Sequence, residues 1–167
     1  PTKKFWIRSR ADSFRQISSK KGKVKAMEKI FKGRTVVPGQ VTLKALVSHE
    51  GFNTLASFKN CKEGKNICTD QNNKDLYGKS TVGVALCLPQ TIGSTTGGMV
   101  FYTAGALGKL PACMCFSKPI DSLAAAGAIL SDVWTETHMP VVGDEFLEYV
   151  KTGMSVTLAE DGTVTVE

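Results

Sequence analysis

A chain of 167 residues with 42% hydrophobic content is long enough to bury one core without disulfide or metal staples, and it fits one compact domain plus a tail. The net charge of +6 conceals an asymmetry: residues 1–34 hold twelve basic side chains against Asp12 and Glu28, whereas the remaining 133 carry a net −4. No apolar run approaches the ~20 residues of a membrane span and no signal-peptide h-region is visible, which argues for a soluble, cytoplasmic protein.

Residues 1–30 read as a basic, poorly structured leader or linker, with Val24 to Phe31 as a short helix before Gly33. Four readings of the leader compete, in this order: a solvated tail or linker, a docking arm for an acidic partner, an organelle-targeting remnant, and a nucleic-acid arm. The last ranks lowest because Phe5, Trp6, Phe14 and Phe31 form no RNP-like or zinc-finger pattern.

The domain is expected over residues 31–167. Thr35 to Val37, the turn Pro38-Gly39 and the β-branched run Val41 to Val47 predict the first strands. Residues 48–79 read as a long polar loop anchored by Phe52, Leu55 and Phe58. His49 in that loop and His138 before Met139-Pro140 lack a nearby acid or ligand partner and read as structural.

Ser80 to Leu88 predicts a buried strand ended by Pro89. A Gly/Ser/Thr loop, Thr91 to Met99, leads into a helix over Val100 to Leu107. Pro111 to Phe116 predicts a second strand, Pro119 to Leu130 an Ala-rich helix, and Met139 to Val142 a third strand. Asp144 to Lys151 predicts a short helix closed by Gly153. Ser155 to Leu158 and Thr163 to Val166 flank Glu160-Asp161-Gly162 as a hairpin. The pattern is an α/β domain, a β-α-β-α-β run with an extra β layer.

The five cysteines, Cys61, Cys68, Cys87, Cys113 and Cys115, are odd in number and lack a C-x-x-C pair, so neither a disulfide framework nor a metal site within the chain is expected. Cys113 and Cys115 fall on one side of a strand, as buried thiols do.

The loop Thr91 to Met99 carries the chemistry. Backbone N–H groups at a helix start suit an anion, Ser94, Thr95 and Thr96 add hydroxyls, and Gly93, Gly97 and Gly98 permit close approach or positive φ. The same composition also suits a plain strand-to-helix connection. Met99 stands where a P-loop needs lysine and no G-x-G-x-x-G occurs, so a nucleotide is not indicated.

From Phe31 to Glu167 the chain resembles the small, swivelling subunit of the aconitase X group of hydro-lyases. The resemblance rests on the order and spacing of Lys32-Gly33-Arg34, Pro38-Gly39, Leu76-Tyr77-Gly78-Lys79-Ser80, Pro89, and Gly93-Ser94-Thr95-Thr96-Gly97. It continues through Gly108 to Ala112, Ile120-Asp121, Gly127 to Leu130, Met139 to Val142 and Lys151-Thr152-Gly153. It implies the swivelling β/β/α fold of the aconitase swivel domain, with the C-terminal hairpin and a basic N-terminal extension. It also implies a large-subunit partner that holds an iron–sulfur cluster and its cysteine ligands, so that the small subunit alone is inactive.

By correspondence with aconitase, whose swivel serine takes a proton from the carbon next to a carboxylate, Ser94 is the expected base. Gly93, Thr95, Thr96, Gly97 and Arg34 are the expected substrate-binding residues. Aconitase follows its serine pair with an arginine, whereas Thr96 stands here, so the cation for a serine alkoxide is sought in Arg34, Lys79 or the large subunit. Two small hydroxy-acid substrates fit the family: cis-3-hydroxy-L-proline, placed first, and mevalonate 5-phosphate. The competing class is a non-catalytic anion-binding or interaction module.

Overall fold

The computed structural model describes residues 27–59, 67–122, 125–127, 129 and 138–167. The leader up to residue 26, including the first three residues of the expected Val24 to Phe31 helix, lies outside them. Its last part is instead extended: β1 spans Lys29–Lys32 and pairs antiparallel with a strand at the far end of the chain, setting Phe31 opposite Val164. Burial of Phe31, at 7% exposure, requires this pairing and overrides the local helical pattern.

After β1 come β2 (Arg34–Val37), β3 (Val41–Val47), β4 (Phe52–Asn53) and α1 (Thr54–Phe58). Next are β5 (Ala85–Leu88), β6 (Thr91–Ile92), α2 (Gly97–Ala106), β7 (Cys113–Phe116) and β8 (Met139–Val141). The chain ends with α3 (Asp144–Tyr149), β9 (Ser155–Leu158) and β10 (Thr163–Val166). Residues 122, 125–127 and 129 are helical, with the Ala125 N–H donating to the Asp121 carbonyl. Among the described residues no helix is long and apolar enough to cross a membrane.

The strands of the expected β-α-β-α-β run are the parallel neighbours β5, β7 and β8, to which β3 adds a fourth parallel strand beside β5, and the expected hairpin is β9 and β10. Eight strands form one sheet in the order β1-β10-β9-β3-β5-β7-β8-β2. The two ends of that order, β1 and β2, are separated in the chain by Gly33 alone, so the sheet curls until one continuous segment serves both edges. Gly33 makes the corner: its N–H donates to Gly162 O, and a Cβ there would lie 2.8 Å from both Gly162 O and Val141 O. Both obstacles are backbone, so Gly33→Ala is expected to lower stability by about 1–3 kcal/mol. Thermal unfolding of the purified variant checks this.

Both faces of the central strands are buried. Ala45, Val47, Ala85, Cys87, Cys113 and Cys115 turn toward the hairpin strands and α3, where Phe146 is fully buried. The alternate residues Leu46, Leu86, Leu88, Met114 and Phe116 turn toward Phe58 of α1 and Phe101 of α2. Period-2 alternation thus survives as small against large rather than polar against apolar.

The thiols on the first face are packing groups. Cys113 and Cys115 have their sulfurs 3.6 Å apart, and hydrogen bonding to Cys115 together with burial holds the Cys87 and Cys113 thiols well above the ordinary thiol range. Cys87 and Cys113 stay protonated and act as small hydrophobes, while hydrogen bonds from Cys113 and Cys87 draw the Cys115 thiol down to about 5.

Three local expectations shift. The strand expected over Ser80 to Leu88 is shorter, because Val82 and Gly83 sit in an exposed turn and Gly83 has φ +72°. The loop 48–79 contains β4 and α1, and of its three expected anchors Phe52 and Phe58 are buried whereas Leu55 is 47% exposed. Helix α2 starts three residues before Val100, because Gly97 and Gly98 are themselves helical and buried.

Candidate active site

The Gly/Ser/Thr loop lies beyond the carboxyl end of β5, where ligands bind in open parallel sheets. Pairing of Thr91 with Phe52 and of Ile92 with Asn53 ties the loop to the start of α1. Asn53 caps α1 by accepting the Ala56 N–H at 3.1 Å, and the loop runs close over this cap. A Cβ on Gly93, whose φ is +113°, would sit 2.9 Å from Asn53 Oδ1, and one on Gly97 would sit 2.9 Å from Thr54 Oγ1. Glycine at 93 and 97 therefore serves the close approach of two helix starts.

This approach encloses a cleft of about 220 Å³ lined by Thr54, Thr91, Ile92, Gly93, Ser94, Gly97 and Asp121. Thr91, 8% exposed, donates its hydroxyl to Asp121 Oδ2. Ser94 is exposed on the cleft, and its Oγ accepts twice from Thr96: from the N–H at 3.2 Å and from Oγ1–H at 3.0 Å. The Ser94 carbonyl accepts the Gly97 N–H at 2.9 Å, which starts the first turn of α2. An oxygen held by two donors beside the partly positive N-terminal end of a ten-residue helix is suited to carrying negative charge.

Of the residues expected from sequence, Gly93, Ser94 and Gly97 come together on the cleft, and Thr96 bonds to Ser94. Thr95 is exposed on the loop and is not among the lining residues. Arg34 lines a separate cleft of about 160 Å³ with Val36, Pro119, Ile120 and Val141, which adjoins the first through Ile120-Asp121. Lys79 is exposed in a turn whose backbone pairs with Cys68 and Leu76, and it does not line the Ser94 cleft.

The sequence pattern marks neither Thr54 nor Asp121 as a site residue, and marks Thr91 only as the start of the loop. Asn53-Thr54 before a short apolar segment was the available helix-start signal, and Asp121 lay inside a motif quoted for the family without a role.

His49, read from sequence as lacking a nearby acid, has one in Asp75, whereas His138 is held through its backbone. His49 donates its backbone N–H to Asp75 Oδ2 at 2.8 Å, with Nδ1 3.1 Å from the same oxygen. This backbone bond holds the Asp75 carboxyl below its ordinary range. His138 extends β8 along β7 through the Ala112 carbonyl and the Met114 N–H, with its ring lying over Gly39.

Among the described residues no group of three or more His, Cys, Asp or Glu side chains is arranged to hold a metal ion. Cys68, Cys87, Cys113 and Cys115 are buried and none lines the Ser94 cleft. The donor set of these residues does not fit an iron–sulfur cluster.

Comparison with known proteins agrees with this architecture. The chain is 30% identical over 137 residues to the phosphomevalonate dehydratase small subunit of Thermococcus kodakarensis, covering 81% of this chain and 95% of that one. It is 37% identical over 84 residues to the protein of the same name from Methanothrix thermoacetophila, covering 50% and 58%. The crystal structure of Thermococcus kodakaraensis aconitase X in its holo-form superposes with a TM-score of 0.71 at 28% identity, covering 83% of this chain and 98% of that chain. Residues 30–166 match the family described as the aconitase X swivel domain, from the second residue of β1 to the last of β10. The curled sheet and its helical layer are thus those of a family member: the chain belongs to the aconitase X swivel-domain family.

Proposed function

We propose that this chain is the small subunit of an aconitase X-type dehydratase in which Ser94 removes a proton from the carbon next to a carboxylate in a β-hydroxy acid. The observation that carries the base assignment is the double hydrogen bond from Thr96 onto Ser94 Oγ at the cleft. A free serine is far too weak an acid to supply an alkoxide at neutral pH, and donors aimed at its oxygen in a water-poor site lower that cost.

Water exclusion requires a cover. The exposed apolar side chain of Ile92 lines the cleft, and beside it Leu55, Met99 and Leu107, also exposed, line a separate groove of about 320 Å³ that runs between α1 and α2 away from the cleft. Such a surface supports a large-subunit partner that completes the site. That partner carries the iron–sulfur cluster in this reading, because the described residues of this chain supply no ligand set. The chain alone does not turn over substrate.

For the substrate, the names of the curated relatives support mevalonate 5-phosphate. This places it ahead of cis-3-hydroxy-L-proline, the first choice from sequence. Both compounds carry a hydrogen on the carbon next to the carboxylate and a hydroxyl on the following carbon, so one base serves either. The second reading retains support from the cleft itself: among the described residues its wall holds the Asp121 carboxylate and no lysine or arginine, which suits the ammonium of hydroxyproline better than a phosphate.

Anaerobic co-expression with an aconitase X large subunit, followed by dehydratase assays on both compounds, tests the proposal. Turnover of mevalonate 5-phosphate is the expected result. Turnover of hydroxyproline alone would establish the second reading. In that case Asp121→Asn is expected to raise KM at least about tenfold, the loss of one charge-assisted contact. Absence of both complex and turnover, with the cluster confirmed in the large subunit, would leave the anion-binding module.

A further inference from the structure

Thr96 spends its hydroxyl on Ser94 rather than on its own helix. A threonine at the N-cap ordinarily turns its side-chain oxygen to accept a backbone N–H of the first turn. Thr96 occupies that position for α2, yet its side chain makes no capping bond and its backbone is helical, at φ −78° and ψ −2°. Its Oγ1 donates instead to Ser94 Oγ at 3.0 Å, and its N–H donates to the same atom at 3.2 Å. One residue thus directs both of its donors onto one oxygen.

A hydroxyl oxygen offers two lone pairs. With two donors from Thr96 already on Ser94 Oγ, the serine proton lies on the remaining side, and its loss leaves an anion whose charge is met by two hydrogen bonds. The third lone pair of that anion is then the one available to a substrate proton. Among the described residues no cationic side chain lines this cleft, so the Thr96 pair does what a charged neighbour would do elsewhere.

Resting on the reading of Ser94 as base, we infer that Thr96 is the positioning residue that holds Ser94 in its alkoxide form, and is not a substrate ligand. This revises the substrate-binding role expected for Thr96 from sequence. In the step it supports, Ser94 Oγ forms an O–H bond as the C–H bond next to the carboxylate breaks. The electron pair passes into the new C=C bond as the β-hydroxyl departs with its own pair. Ser94 then releases its proton to solvent, so the products are the unsaturated acid and water.

The test uses the assembled enzyme with Thr96→Val, which keeps the shape and removes the hydroxyl, Thr96→Ser, which keeps the hydroxyl, and Ser94→Ala as reference. Thr96→Val is expected to lower kcat by about 10- to 100-fold, the worth of one hydrogen bond to a charged oxygen, with KM unchanged. Removing a donor from an anion raises the pKa of its parent acid, so the rise of kcat with pH moves to higher pH. Substrate deuterated next to the carboxylate is expected to show a larger isotope effect in Thr96→Val than in wild type, and Thr96→Ser is expected to restore the rate.

A normal kcat with raised KM in Thr96→Val would assign Thr96 to substrate binding and overturn the inference. A Thr96→Ser variant as slow as Thr96→Val would do the same. The two levels separate cleanly: normal turnover by Ser94→Ala removes the base assignment itself, whereas an inactive Ser94→Ala beside a Thr96→Val of normal kcat removes only the role of Thr96.

Discussion

Ser94→Ala in the assembled enzyme is expected to lower kcat by roughly 10²- to 10⁴-fold, the range that general acid–base catalysis contributes, while KM stays close to wild type. The side chain is exposed and supports no core contact, so its loss costs little stability. Its oxygen is an acceptor for two Thr96 donors, both at a surface position where water can replace it. The loss therefore falls on the proton transfer and leaves binding largely intact. Steady-state kinetics on the purified pair, with thermal unfolding run in parallel, separates this from a folding defect; a variant with near-normal kcat would remove Ser94 from the base role.

Phe101→Ala is expected to be the most damaging single change to stability, at about 3–5 kcal/mol. Phe101 is fully buried on α2 and meets the Phe58 ring edge-on, with centroids 6.0 Å apart. Phe58 in turn meets Phe52 at 5.5 Å, and Phe52 pairs with Thr91 at the start of the serine loop. The three rings thus link α2 and α1 to the segment that lines the cleft. Truncating the first leaves a cavity between the helices that meet at the site. A fall in Tm on the order of 10 °C is expected for a domain of this size, with Phe101→Leu losing much less. Differential scanning calorimetry on both variants checks the order.

The fold was largely legible because its signals are local. The alternation in Val41 to Val47, the Gly/Ser/Thr stretch between a strand and a helix, and the Asp161-Gly162 turn each reflect short-range constraints. Gly162 takes φ +85° and Asp161 accepts the Thr163 N–H at 2.9 Å, as the turn signature implies. What was not legible depends on contacts distant in sequence. Residues 29–31 read as helical because nothing near them reveals that Val164 and Val166, more than 130 residues away, will pair with them. Closure of the sheet at Gly33 depends on that same pairing.

The candidate site divides in the same way. Ser94 stands in a loop whose composition announces a helix start, and the family resemblance supplied its role. Thr54 opens α1 and Asp121 follows β7 just before the helical residues from 122, and only the packing of those two elements beside the loop brings them to it. The sequence offers Arg34 as a substrate-binding residue and one candidate cation, yet its strand sits at the edge of the sheet and places it on the adjoining cleft. Charge type was readable along the chain, whereas distance to the serine was not.

The central claim is that Ser94 takes the proton next to the carboxylate, and the most direct measurement follows that proton. The assembled enzyme, wild type and Ser94→Ala, is incubated with substrate in D₂O while proton NMR records the hydrogen beside the carboxylate during exchange and dehydration. The account predicts loss of that signal with wild type and a rate at least roughly 100-fold lower with Ser94→Ala. Loss of the signal at the wild-type rate in Ser94→Ala would contradict it.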